Sequence, residues 1–194
     1  FLDPYSCEIT ELRGMWPSDE VIDKCILKLL KDRSIQNLLD LGTGAGRILR
    51  TTAPFVVKGT GIDNSLEMLS IARARLDQDG IKNCQVRVGD MYRLPFKQNS
   101  FDLITINSLL RYAEEPKKVI AEAARVLEKK GALLIVDLAA HDLSELRDEY
   151  GHSWLGFSEA EMLEMLSEEN LTVARVKHID GQKLNVCIWL ASGS

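Results

Sequence analysis

The chain has no apolar run approaching the roughly 18 residues that would cross a bilayer, and no charged-then-apolar leader opens it. A cytoplasmic location with no membrane partner is therefore expected. Histidine is scarce: His141, His152 and His178 form no ligand pair at helical spacing. Cysteine is sparse too. Cys7, Cys25, Cys84 and Cys187 lie far apart and match no zinc spacing, which predicts reduced core thiols and no bound metal. Positive charge is not in excess. With a net charge of −5, direct contact with nucleic acid is not expected, because phosphate binding needs clustered cations. Repeats, linkers and low-complexity stretches are missing as well. The 194 residues read as one domain, 1–194, able to bury roughly 70% of its unfolded surface. The first residue, Phe1, and the terminal Ala-Ser-Gly-Ser point to a segment of a longer chain with a solvated or added tail.

What is present is an alternation of apolar strand-like runs with helical patterns, the mark of a mostly parallel sheet covered on both faces. Within the domain, 1–34 reads as a helical N-terminal segment, 35–138 as the ligand-binding core and 139–194 as a substrate-side segment with a terminal hairpin. Ser18 can cap a helix whose Ile22, Cys25, Ile26, Leu29 and Leu30 share a face. Strands are expected at Asn37–Leu41, Lys58–Ile62, Gln85–Val88, Phe101–Ile106 and Ala132–Val136. Ser65 caps a helix carrying Leu69, Ala72 and Leu76 inward. Pro116 suits the first turn of another, with Val119, Ile120, Ala123 and Leu127 as its buried stripe. Ser158 and Glu161 make a capping box for a last helix with Met162, Leu163 and Leu166 inward. Asp180-Gly181, between Leu171–Ile179 and Lys183–Leu190, signals a tight antiparallel hairpin.

The chemistry gathers at the strand ends, where ligands of open parallel sheets collect. Leu38 to Gly46 reads Leu-Leu-Asp-Leu-Gly-Thr-Gly-Ala-Gly: a buried strand, an acid, then glycines whose lack of Cβ lets backbone approach a ligand closely. Asp40 repels a diphosphate but suits a cationic amino group, which fits an amino-acid-bearing nucleoside better than a dinucleotide. Asp63, about 20 residues further at the tip of strand two, is placed to accept ribose hydroxyls. Asp90 and Met91 follow strand three, placed for an adenine amino group and ring face. Asn107 to Tyr112 follow strand four and face the remaining open side. Each position has a plainer reading beside it: a tight turn for the glycines, a cap for Asp63 or Asp90, core filling for Met91.

From Leu38 to Leu138 the sequence resembles a class I S-adenosylmethionine-dependent methyltransferase, and the terminal hairpin extends the resemblance to almost the whole chain. That resemblance implies a Rossmann-like α/β fold: seven strands, mostly parallel, with a C-terminal antiparallel β-hairpin and helices on both faces. It implies S-adenosyl-L-methionine as cofactor and S-adenosyl-L-homocysteine as product. By the same resemblance Asp40, Gly42, Thr43, Gly44 and Gly46 hold the methionine portion, and Asp63 the ribose, with Asn64 and Met68 beside the nucleoside. Asp90 and Met91 meet adenine, and Asn107 with Ser108 lies by the sulfonium. A narrower resemblance runs through Cys84–Phe96, Glu145–Phe157 and Lys183–Ala191. It is to methyltransferase domains fused behind ArsR-type winged-helix regulators, which carry a DNA-binding module in front. The chain departs from that group where Asn107 and Arg111 stand in place of histidines.

Methyl transfer from a sulfonium is an in-line displacement, so alignment is most of what a protein must supply. A general base is needed only for a protonated nucleophile; Tyr112, Asp137, His141, Tyr150 and His152 are candidates, His141 foremost. Enzymes that methylate exocyclic amines of DNA bases resemble one another in an acid or Asn followed by two prolines and an aromatic residue; here Asn107 is followed by Ser-Leu-Leu, which argues against that reaction. Tyr5, Trp16 and Pro17 either pack under the sheet or form an aromatic lid. The expected partner is a small-molecule methyl acceptor, with the oligomeric state open, a dimer included. Two other functions compete: a cofactor-sensing module of a transcriptional regulator, and a nicotinamide oxidoreductase suggested by the glycine turn alone.

Overall fold

The structure, a computed structural model, describes residues 14–193. Tyr5 and Cys7 lie outside them. Helix α1 (Asp19–Leu30) leads into β1 (Ile35–Leu41), followed by α2 (Arg47–Thr52) and a 3₁₀ turn at Ala53–Phe55 that takes up Pro54. Then come β2 (Val56–Asp63), α3 (Leu66–Gln78), β3 (Cys84–Val88), β4 (Phe101–Asn107) and a 3₁₀ turn at Leu110–Tyr112. Next are α4 (Pro116–Val126), β5 (Leu127–Leu138), α5 (Glu145–Tyr150), α6 (Glu159–Glu168), β6 (Leu171–Ile179) and β7 (Val186–Gly193). The seven strands form one sheet in the order β3-β2-β1-β4-β5-β7-β6. β1 to β5 pair in parallel, and β7 runs antiparallel to both β5 and β6. The strand order reverses between β1 and β4, and a crevice opens there at the carboxyl ends.

The sheet divides the interior into two packed layers. On one face Ile22 and Ile26 of α1, Leu49 of α2 and Leu69, Ala72 and Leu76 of α3 meet Leu38, Leu103 and Leu134. On the other, Val119, Ile120 and Ala123 of α4 and Met162 and Leu166 of α6 meet Leu39, Ile104, Ile135 and Trp189. Strand alternation sends successive side chains to opposite layers, and the runs are apolar because both faces are covered. β7 follows the same rule: Val186, Ile188 and Leu190 enter the first layer, Cys187 and Trp189 the second.

Three expected details differ. Leu127 opens β5, paired with Phe101, and does not end the preceding helix, although it is buried as expected. Leu163 points to solvent at 44% exposure and Met165 takes its inward place, because the positions facing the sheet recur at intervals of three and four from Met162. The hairpin turn is longer than Asp180-Gly181: Ile179 pairs with Val186, so residues 180–185 form the loop. The backbone N–H groups of Lys183 and Leu184 both donate to the Met15 carbonyl, each at 2.9 Å, and this graft of the N-terminal segment holds the wider loop.

Candidate active site

The crevice is a cavity of about 1000 Å³, at the upper end of small-molecule sites. Its floor is the glycine turn between β1 and α2. Gly42 and Thr43 donate their N–H groups to the Ile62 carbonyl at 2.8 and 2.9 Å, which folds the turn over the end of β2. The three glycines have different reasons. A Cβ on Gly42 would meet Leu109 at 2.9 Å and one on Gly46 would meet Ala72 at 3.1 Å, so protein fills those spaces. Gly44, with φ of +51°, faces nothing within 4 Å and lines the cavity. The close backbone approach expected of the motif is available at Gly44.

Asp63, at the tip of β2, lies on the cavity wall. One carboxylate oxygen accepts the Gly44 N–H at 2.8 Å and the other the Ser65 N–H at 2.9 Å. It therefore pins the turn and the entry to α3 and keeps acceptor capacity to spare, since a carboxylate can take about four hydrogen bonds. Asn64, Met68 and Met91 share that wall, with Thr43.

Three expected contact residues stand elsewhere. Asp40 is 1% exposed and absent from the wall. It lies beneath the turn, where its two oxygens accept hydrogen bonds from the hydroxyls of Thr43 and Thr105, both at 2.7 Å. Burial pushes its carboxyl up to about 6, against the two threonine bonds that pull it down. Gly46 is packed against Ala72 below the surface. Asp90 is exposed and accepts the Tyr92 N–H at 2.8 Å, closing a local turn; its neighbours Gly89 and Met91 line the cavity in its stead.

At the end of β4, Asn107 and Ser108 both line the cavity. The Asn107 Oδ1 is buried without a hydrogen-bond partner. Ser108 has φ of +55°, a conformation non-glycine residues rarely adopt and one that clusters at ligand sites. Tyr112 also reaches the wall, its ring edge-on to His152 at 5.0 Å. His141, His152 and Tyr150 do not line the cavity. The His141 Nδ1 accepts the Leu143 N–H at 3.2 Å, which places the proton of its neutral ring on Nε2. Burial, and the neighbouring His152, hold its pKa below the usual histidine value.

The far wall holds a pair that spacing did not reveal. Asp137, inside apolar β5, accepts from Arg111 Nη1 at 3.0 Å, from the Arg111 backbone N–H at 3.3 Å and from the Leu138 N–H at 2.9 Å. The two side chains are 6% and 0% exposed, yet both residues line the cavity. The Arg111 guanidinium lies 5.6 Å from the Trp16 ring centroid and 5.0 Å from that of Tyr112. Three donors thus converge on the Asp137 carboxylate. The only sequence signals were an acid within an apolar strand and an arginine beside Leu109-Leu110. Trp16 both packs and lines the cavity, so the two expectations for it merge. Among the described residues no group of His, Cys, Asp and Glu could hold a metal ion, and Cys25, Cys84 and Cys187 are free thiols.

The chain as a whole is similar to known proteins. A family model described as "Methyltransferase domain" matches residues 19–187, so the chain belongs to the methyltransferase family. The uncharacterized methyltransferase YcgJ of Bacillus subtilis is 32% identical over 112 residues, 58% of this chain and 44% of that protein. A demethylmenaquinone methyltransferase of Thermotoga maritima is 38% identical over 118 residues, 59% of this chain and 49% of that one. The chain thus matches about half the length of these curated relatives. The crystal structure of B. subtilis YcgJ superposes with a TM-score of 0.78 at 21% identity, covering 90% of this chain and 98% of that one. A geranyl diphosphate methyltransferase in complex with S-adenosylmethionine has a TM-score of 0.78 at 17% identity, covering 91% of this chain and 86% of that one. Likenesses at this identity show the Rossmann-like methyltransferase fold. Family membership sets aside the nicotinamide oxidoreductase.

Proposed function

We propose that this protein transfers a methyl group from S-adenosyl-L-methionine to a small-molecule acceptor, releasing S-adenosyl-L-homocysteine. The observation that carries the reading is the open space over Gly44 beside Asp63. A Cβ there would project into open cavity, with the Asp63 carboxylate at its rim. The bound cofactor supplies an electrophilic methyl on a sulfonium. Asp63 would accept the ribose hydroxyls, Met68 and Met91 would flank the nucleoside, and Asn107 with Ser108 would border the reacting centre. The turn and the end of β4 approach the cavity from separate strands of one rigid sheet, which fixes the direction of attack. Trp16, Leu109, Tyr112 and Val186 enclose the remaining space, excluding water around an acceptor whose polar end reaches the Arg111–Asp137 pair.

No histidine lines the cavity among the described residues, and Asp137 is occupied by donors. This suits an acceptor whose nucleophilic atom arrives unprotonated. It also supports a second reading, a cofactor-binding sensor domain of an ArsR-type regulator with little turnover. In either case the reading includes a cytoplasmic setting and no direct nucleic-acid contact by the domain itself, in keeping with the net charge of −5. No helix among the described residues is long and apolar enough to cross a membrane.

Incubation with methyl-labelled cofactor and fractionated metabolites tests the first reading and should yield a labelled small molecule. Tight S-adenosylhomocysteine binding in calorimetry, with no labelled product in any fraction and altered DNA affinity of a regulator containing this domain, would favour the sensor. No binding of the adenosyl compound would reject both.

A further inference from the structure

The Arg111–Asp137 pair sits on the cavity wall away from the glycine turn, and its two members do not face the open space equally. Asp137 is closed in: one oxygen accepts from Arg111 Nη1 and from the Leu138 N–H, the other from the Arg111 backbone N–H. Its side chain is 0% exposed, whereas 6% of the arginine side chain stays open. A guanidinium carries five N–H donors in a rigid planar fork and keeps its charge at any ordinary pH. What the pair presents to the cavity is therefore the cation and not the carboxylate. The Trp16 and Tyr112 rings steady that cation and line the same cavity, with Leu109 and Val186 adding apolar surface. A fold does not require such a pair, since apolar side chains often replace a buried ion pair at no loss of stability. Its place is also telling. Asn107 pairs with Val136, so Asp137 follows directly on the neighbouring strand, about 4.8 Å across from the end of β4.

We propose that Arg111 selects the methyl acceptor: the acceptor is an organic acid, its anionic group bound by the Arg111 guanidinium and its apolar body laid against Trp16, Tyr112 and Val186. The inference rests on the function proposed above and names the class of acceptor. The guanidinium fork matches the two oxygens of a carboxylate, and charge-assisted hydrogen bonds are roughly twice as strong as neutral ones. At a buried wall the contact is screened little, so an acid is favoured over its neutral isostere. The acids at the mouth oppose this weakly. Asp19, Glu20 and Glu114 are exposed, where water and salt screen them; Arg47 lies 3.6 Å from Asp19, and Lys24 bonds Glu20 at 2.7 Å. Asp137 offsets part of the arginine's charge and so moderates the hold on the acid.

The test uses protein saturated with S-adenosylhomocysteine and two matched series of probes: 3-phenylpropanoate and octanoate, each with its amide and its primary amine. Calorimetry at neutral pH should show the acid of at least one series binding about tenfold or more tighter than its amide, the size of one hydrogen bond to a charged group. The amines should bind weakest. Asp137→Asn removes the offsetting charge and should tighten the acids severalfold while leaving the amides unchanged. Arg111→Met should bind acid and amide alike; if circular dichroism shows that variant unfolded, the wild-type series and Asp137→Asn decide the matter. Amides or amines binding as well as the acids in both series would overturn the proposal, and so would no binding by any probe. An amine that binds tightest to the wild type and is lost in Asp137→Asn would overturn it too, making Asp137 the anchor of a cationic acceptor. Failure of the folded wild type to bind S-adenosylhomocysteine would instead strike the functional reading itself, and the inference with it.

Discussion

At the scale of single residues, Asp40 works against the stability of its own fold. Its folded-state value of about 6 lies above the ordinary 3.8, so the folded protein binds this proton more readily than the unfolded chain does. The stabilisation is complete below pH about 4 and is lost as pH rises through about 6. The cost of charging corresponds to roughly 3 kcal/mol. Asp40→Asn should therefore raise the urea midpoint at pH 7.5 and leave it nearly unchanged at pH 4. Asp63→Ala should lose about 1.5–3 kcal/mol of S-adenosylhomocysteine affinity, for hydrogen bonds to a charged group. Its effect on folding should be smaller, since the Ser65 hydroxyl still caps α3 by accepting the Met68 N–H. Gly44→Val should abolish binding in the same titration: the β-branched side chain would occupy the open cradle, and φ of +51° strains it further. That Asp63 and Gly44 reach the cavity wall was legible in the sequence because their positions follow from a strand end and a turn. The burial of Asp40 was not legible, since an acid at a strand end carries no mark of whether its oxygens meet a ligand or two hydroxyls from distant segments.

At the scale of elements, periodicity and capping were the readable quantities. The Ser158–Glu161 capping box forms in full: the Ser158 hydroxyl accepts the Glu161 N–H at 3.2 Å, and the Glu161 carboxylate accepts the Ser158 N–H at 2.9 Å. Ser158→Ala should cost about 1 kcal/mol in chemical unfolding. On the same helix, Leu163→Ala should be nearly neutral, whereas Met162→Ala should cost about 2–5 kcal/mol, because only Met162 is enclosed. The expectation that counted Leu163 inward failed because Leu163 lies about 100° around the helix from the buried Met162. The hairpin shows a different limit. Asp-Gly favours a tight turn locally, but the bonds to the Met15 carbonyl come from the other end of the chain and widen it. Local propensity gave way to a long-range partner.

At the scale of the whole molecule, the cavity is assembled from parts far apart in sequence, and this is where reading residues in order reveals least. Arg111 follows β4, Asp137 closes β5 and Trp16 precedes α1; only the folded sheet brings them together. Arg111→Met should destabilise the protein by about 3–5 kcal/mol in equilibrium unfolding, because Asp137 would remain buried without its cation. The walls also differ in how they are fastened. The glycine turn is held by the sheet, while the segment bearing Trp16 is fastened to the 180–185 loop by two hydrogen bonds that converge on the Met15 carbonyl. Releasing them unzips no strand ladder. Deuterium should accordingly enter the amides of Lys183 and Leu184 well before that of Ile188 in central β7, and a trapped adenosyl guest should slow the first two most.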